Sequence, residues 1–132
     1  QAAASAGYTW PWSGTLNGFA NLTWQYVGSS YTQLADQEAP FGCIGCAGAP
    51  GFISFGAPTI SQFTFNPELP SYSIGNFRVG VKSGSWEVAA YVNNLTDERA
   101  FLSLDRERGS RARVGYLTNP PRTIGLTLRK SF

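Results

Sequence analysis

Period-two alternation of apolar and polar residues constrains this chain more than any other feature. It recurs in five runs separated by turn chemistry, and helix signals are weak by comparison. In "FANLTWQYV", Ala20, Leu22, Trp24 and Tyr26 fall in one phase and Asn21, Thr23 and Gln25 in the other. "YSIGNFRVGVK" sets Phe77, Val79 and Val81 against Asn76, Arg78 and Lys82. "WEVAAYVNN" sets Trp86, Val88, Ala90 and Val92 against Glu87, Tyr91 and Asn93. The last run, "RTIGLTLRKSF", sets Ile124, Leu126 and Leu128 against Thr123, Thr127 and Arg129. The first, "QAAASAGYTW", is the weakest, because small residues dominate it. Successive side chains of a strand point to opposite faces, so each run reads as a strand with one apolar and one polar face. The expected fold is all-β: an antiparallel meander of about five strands, near residues 1–10, 17–29, 72–82, 85–94 and 122–132. Long loops are expected near 30–70 and 95–121.

Parity constrains the hairpin between the third and fourth runs. Partners across an antiparallel pair share a face, and the apolar phase is odd in one run and even in the other. A two-residue turn at Ser83-Gly84 satisfies this, pairing Val81 with Trp86, Val79 with Val88 and Phe77 with Ala90. The connections alternate short and long. Each strong run has the roughly 9–11 residues that cross a bilayer as a tilted strand. Aromatics (Trp10, Trp24, Tyr26, Trp86, Phe132) sit near the ends of the apolar phase, as in interfacial girdles. These features favour transmembrane strands over the alternative of a soluble β-sandwich with one wet face.

Composition narrows the function. The chain has no His, which removes the commonest general base and zinc ligand. It carries no GxGxxG or Walker loop, so no catalytic residue, metal or cofactor is expected and the protein reads as a non-enzyme. Its net charge of +2 is too small to suggest nucleic acid. It begins at Gln1, lacks Met and shows no signal peptide, and reads as a processed product or a piece of something longer.

Residues 70–132 carry a more specific likeness. "PELPSYSIGNFRVGVKSGSWEVAAYVNNLTDERA" followed by "PPRTIGLTLRKSF" resembles the end of a TonB-dependent outer-membrane receptor, and "GFANLTWQYVGSSYT" extends the likeness more loosely. The resemblance implies the C-terminal part of a barrel of about 22 strands, in the outer membrane of a Gram-negative bacterium. It implies active import of a scarce nutrient such as a siderophore, cobalamin, a glycan or an aromatic acid. The implied partners are the remaining barrel and plug, in the same or a separate chain, and TonB–ExbB–ExbD, reached through an N-terminal part that this chain lacks. Outer-membrane lipid, lipopolysaccharide and the barrel-assembly machinery complete the set, with Phe132 as part of the C-terminal assembly signal. The carboxyl terminus and tight turns would be periplasmic and the long loops extracellular. The alternatives are a passive porin, a small structural barrel or a soluble β-sandwich binding module.

Several residues are candidates for sites. Cys43 and Cys46 in "CIGC" read as a local disulfide pinning a loop rather than a redox pair, since "AGAPGF" is a poor helix start, or a zinc site, since two further ligands are missing. Phe52, Phe55, Phe63 and Phe65 either cap an apolar ligand or pack on one another. Arg106, Arg108 and Arg111, in "DRERGSRAR", either meet an anionic substrate or lipopolysaccharide phosphate, or decorate a solvated loop tip. Asn21, Thr23, Gln25, Asn76, Arg78, Glu87, Tyr91, Asn93 and Arg129 should face the lumen, toward plug or water. Of the two Asn-x-Thr sequons, "NNLTDE" reads as a strand-end turn in which Asn and Asp side chains bond nearby backbone.

Overall fold

The computed structural model describes residues 1–37, 42–44, 63–107 and 113–131. Nine strands form among them: β1 (Ala2–Ser13), β2 (Leu16–Val27), β3 (Cys43–Ile44), β4 (Phe63–Thr64), β5 (Tyr72–Ser83), β6 (Trp86–Asn93), β7 (Phe101–Glu107), β8 (Arg113–Thr118) and β9 (Thr123–Lys130). The only helical element among the described residues is a single 3-10 turn, Leu34–Gln37. The protein is thus all-β. The strands divide between two units. One is a five-stranded sheet in the order β1-β2-β5-β6-β9, and the other holds the hairpins β3-β4 and β7-β8.

Every neighbouring pair in the large sheet is antiparallel, which makes it a meander. It is not closed: β1 pairs only with β2, and β9 only with β6. Glycine sets both tight turns. Gly14 (φ +57°) follows Ser13 and precedes Thr15, with Ser13 paired to Leu16; Gly84 (φ +54°) stands likewise between the paired Ser83 and Trp86. A two-residue hairpin loop with positive φ at its first residue is the Gly-X turn that matches strand twist.

Two expectations are corrected here. The turn is Gly84-Ser85, not Ser83-Gly84, and the register is Phe77 to Val92, Val79 to Ala90 and Val81 to Val88. The faces are unchanged because the error is a whole period of two. The observed register gives Gly84 the left-handed position and sets Lys82 directly across from Glu87. The first hairpin is also tighter than strands near 1–10 and 17–29 imply. Strand β1 continues through Pro11 to Ser13, with a register shift between those residues. Proline and a bulge are tolerated there because β1 is an edge strand.

Three glycines of the sheet lie beneath an aromatic ring of the adjacent strand. A methyl group at Gly18 would overlap the Trp10 ring, one at Gly75 the Trp24 ring and one at Gly125 the Tyr91 ring. In each case ring and glycine are directly cross-strand partners. The bulky side chain fills the space that its partner leaves.

Strand β6 ends at Asn93 because Asn94 leaves the strand at φ +57°. Asn94 is only 4% exposed, and its side chain ties three segments together. Its Nδ2 donates to the Glu98 carbonyl (2.9 Å) and the Pro120 carbonyl (3.2 Å), and its Oδ1 accepts from the Glu98 N–H (2.9 Å). Its own N–H donates to Asn76 Oδ1 at 3.0 Å. Asp97, also at positive φ, accepts from the Arg122 N–H at 2.9 Å. This is the strand-end turn read from "NNLTDE", and it brings β9 alongside β6.

The stretches expected as long loops hold structure of their own. Leu69 and Leu104 form the buried core of the second unit, with Phe65, Val114 and Tyr116 packed on them. Ser30 and Leu69 exchange two backbone hydrogen bonds, and Thr32 Oγ1 accepts from the Leu104 N–H at 2.7 Å. Phe101 and Tyr116 stack with ring centroids 4.5 Å apart.

Candidate functional site

The large sheet presents two faces of opposite chemistry, and the register fixes which side chains share each. On the apolar face, successive rows across the strands read Trp10, Gly18, Val81, Val88 and Leu128, then Tyr8, Ala20, Val79, Ala90 and Leu126, then Ala6, Leu22, Phe77, Val92 and Ile124. The end rows add Trp86 beside Lys130 on one side, and Trp24 and Tyr26 on the other. Tyr8, Trp10 and Trp12 form a ladder along β1, with centroids 5.8 and 6.3 Å apart. Ile124, Leu126 and Leu128 are 73%, 81% and 67% exposed, and Leu22, Trp24, Tyr26, Trp86 and Val88 are exposed as well.

The dimensions of this face are informative. Leu16 and Tyr26 lie in its two outermost rows. At about 3.4 Å per residue they stand roughly 34 Å apart along the strand. A tilt of about 45° turns this into a height of roughly 24 Å, close to the apolar band of about 25 Å on outer-membrane barrels. Lys130 Nζ lies 5.0 Å from the centre of the Trp86 ring at one end of the band, where an ammonium can reach water while its stem stays on apolar surface.

The opposite face collects all nine residues assigned to the polar phase. Thr23, Asn76 and Asn93 form one row, Asn21, Arg78 and Tyr91 the next, and Glu87 and Arg129 belong to the row of Lys82; Gln25 stands across from Ile74. Asn76 Nδ2 donates to Thr23 Oγ1 at 3.3 Å. Glu87 accepts from Arg78 at 2.6 Å and pairs with Lys82 at 3.2 Å. Arg78 reaches Glu87 across the Gly80 and Ala89 row, whose minimal side chains leave the path open. Sequence reasoning missed Phe19, which is buried in this polar face with Lys82 Nζ 5.1 Å and the Arg78 guanidinium 6.0 Å from its ring centre. The signal was present: Phe19 is in phase with Asn21 and stands across from Gly80.

Comparison with protein-family models, with curated proteins and with solved structures gives no match. The reading of the site therefore rests on its geometry. Asn21, Thr23, Asn76, Arg78, Tyr91, Asn93 and Thr127 border an open concavity of about 500 Å³ on the polar face. Its amide, hydroxyl and guanidinium groups can hydrogen-bond to a polar occupant or to water. Among the described residues there is no cluster of three or more metal-ligating side chains.

Phe65 packs on the Leu69 and Leu104 core of the second unit. Cys43 is buried and is not a free thiol. Cys46, Phe52, Phe55, Arg108, Arg111 and Phe132 lie outside the described residues, as do the side chains of Phe63 and Arg106.

Proposed function

We propose that this chain is a stretch of transmembrane barrel wall from a TonB-dependent outer-membrane transporter, the C-terminal part of its barrel. The observation that carries the reading is the row upon row of exposed apolar side chains on one face of the β1-β2-β5-β6-β9 sheet, Leu22, Val88, Ile124, Leu126 and Leu128 among them, backed by a polar face with its own ion pairs. A soluble sheet buries its apolar face against another layer. A barrel in lipid reverses this, with apolar side chains outward and polar ones toward the lumen. In lipid the unpaired edges at β1 and β9 would need neighbouring strands to satisfy their backbone groups.

In this function the chain performs no covalent chemistry. Extracellular loops capture a scarce nutrient, a plug inside the barrel seals it, and energy from the inner membrane moves the plug. This segment supplies wall, two loops and the closing strand. The family rests on the motifs of residues 70–132; the membrane environment rests on the face geometry.

The environment is tested by spin labels at Leu126→Cys and, separately, Thr127→Cys in the full polypeptide reconstituted into vesicles. Oxygen should relax the label at 126 and a water-soluble nickel chelate the label at 127. Nickel access at both positions would reject the membrane reading. Planar-bilayer conductance tests the transporter reading against a porin: a plugged importer passes no large steady current, and a constant open channel would reject it.

A further inference from the structure

We propose that the concavity on the polar face binds a sugar acid, a small molecule with one carboxylate and several hydroxyl groups, and that Arg129 is the carboxylate's partner. As a substrate contact this rests on the transport reading above; as a binding site it rests on the polar face alone.

The charges of the face are the first support. The strands of the large sheet place Arg78, Lys82, Glu87 and Arg129 on this side, three cations to one carboxylate. Arg129 is the direct cross-strand partner of Glu87. The Glu87 carboxylate nevertheless turns the other way, toward β5, where it meets Arg78 at 2.6 Å and Lys82 at 3.2 Å. Both of those cations also lie by the Phe19 ring of β2, farther still from β9. Arg129 is exposed, and among the described residues its side chain makes no ion pair or hydrogen bond. One carboxylate thus serves two cations. The third keeps a planar fork of donors that suits the two oxygens of a single carboxylate.

The concavity supplies the rest. Its volume of about 500 Å³ falls among small-molecule sites, which span about 300–1,000 Å³. Gly80 and Ala89, side by side in the row of Thr127, add almost no bulk to this part of the face. Asn76 and Thr23 bond to each other, and Asn76 also accepts from the Asn94 N–H. That leaves Asn21, Asn93, Thr127 and Tyr91 for a ligand. Amides and hydroxyls both donate and accept. A ligand that only accepts, such as phosphate, leaves the amide carbonyls unmatched, and an ammonium leaves the N–H groups unmatched; a chain of hydroxyls matches both. Arg78 lines the same space, already neutralised by Glu87, and adds donors without surplus charge. Arg129 stands one row beyond Thr127 on the same face, about 7 Å along β9. A carboxylate held at its fork therefore leaves the hydroxyl chain to lie over Thr127 and toward Tyr91.

The test is ligand binding by the full polypeptide in phospholipid nanodiscs, read by saturation-transfer NMR with three probes at matched ionic strength. Gluconate carries the carboxylate and the hydroxyls, sorbitol the hydroxyls and acetate the carboxylate. Gluconate should bind saturably and at least about ten-fold more tightly than either of the others, the scale of one charged hydrogen bond. Arg129→Gln should bring gluconate down to the sorbitol value. Asn21→Asp, which keeps the shape and adds a negative charge to the concavity, should weaken gluconate and leave sorbitol unchanged. Heat-modifiable mobility checks that both variants are folded. Equal binding of gluconate and sorbitol, unchanged gluconate binding in Arg129→Gln, or no saturable gluconate binding overturns the inference. None of these outcomes bears on which face meets lipid, so the transport reading stands or falls by the spin labels and the conductance.

Discussion

Replacing Leu126 with arginine separates a lipid-facing sheet from a water-facing one by a large margin. Leu126 is 81% exposed, and its row, with Tyr8, Ala20, Val79 and Ala90, lies near the middle of the apolar band. If water lies over this face, the substitution touches almost nothing and stability should change by no more than about 0.5 kcal/mol. If lipid lies over it, an arginine near the bilayer midplane costs about 2–4 kcal/mol. At about 1.4 kcal/mol per factor of ten, this is a shift of roughly 30- to 1000-fold in the folding equilibrium. The cost should fall toward the ends of the band: arginine at Trp86, in the row that already carries Lys130, should cost about 0–1 kcal/mol for its charge. The assay is reversible urea unfolding of the full polypeptide in phospholipid vesicles, followed by tryptophan fluorescence and heat-modifiable electrophoretic mobility. Arginine in place of Thr123, which shares a row with Asn93 on the polar face, is the control. A cost below 0.5 kcal/mol at Leu126, or equal costs at Leu126 and Thr123, would refute the assignment of faces.

Three further outcomes are expected. Glu87→Gln leaves Arg78 and Lys82 without their shared carboxylate and should destabilise by about 1 kcal/mol; a double-mutant cycle with Lys82→Met should give a coupling of about 0.5 kcal/mol that shrinks in high salt. Gly80→Ala places a methyl group against the Val88 carbonyl and the Ala89 backbone, and a cost of about 1–3 kcal/mol in the same unfolding assay is expected, whereas Gly115→Ala, with open space around it, should be neutral or slightly stabilising. Asn94→Ala removes three side-chain hydrogen bonds and strains a positive-φ position, so about 2–3 kcal/mol should be lost, with faster amide exchange at Glu98 and along the start of β9.

Faces were easier to read from this sequence than registers. The period of two assigns Asn76, Arg78 and Lys82 to one side of β5 whatever the exact pairing, because slips of two preserve the side. The pairing itself depended on which residue of "KSGSW" opens the turn. Both Ser83-Gly84 and Gly84-Ser85 satisfied parity, and the cross-strand contact of Lys82 with Glu87 accompanies the second. Strand β1 ran longer than its turn residues suggested, since proline is a stop signal inside a sheet but not at an edge, and order in the sheet is not written locally. The hairpin β7-β8 escaped notice for another reason. Its ladder shifts register between Phe101 and Ser103, which breaks the alternation that reveals a strand. Phe19 was overlooked because its polar neighbours in phase masked an aromatic that needs Gly80 opposite to fit.

The ring-over-glycine pairs have a consequence for how this wall can vary. Trp10 with Gly18, Trp24 with Gly75 and Tyr91 with Gly125 each join positions on different strands that cannot drift independently. A side chain gained at the glycine meets the ring, and a ring shortened to alanine exposes bare backbone. Related sequences should therefore change both members together, exchanging bulk from one strand to the next while the summed volume of the pair stays nearly constant. Inheritance at these sites is carried by pairs of residues, and the strand pairing could be recovered from such paired changes alone.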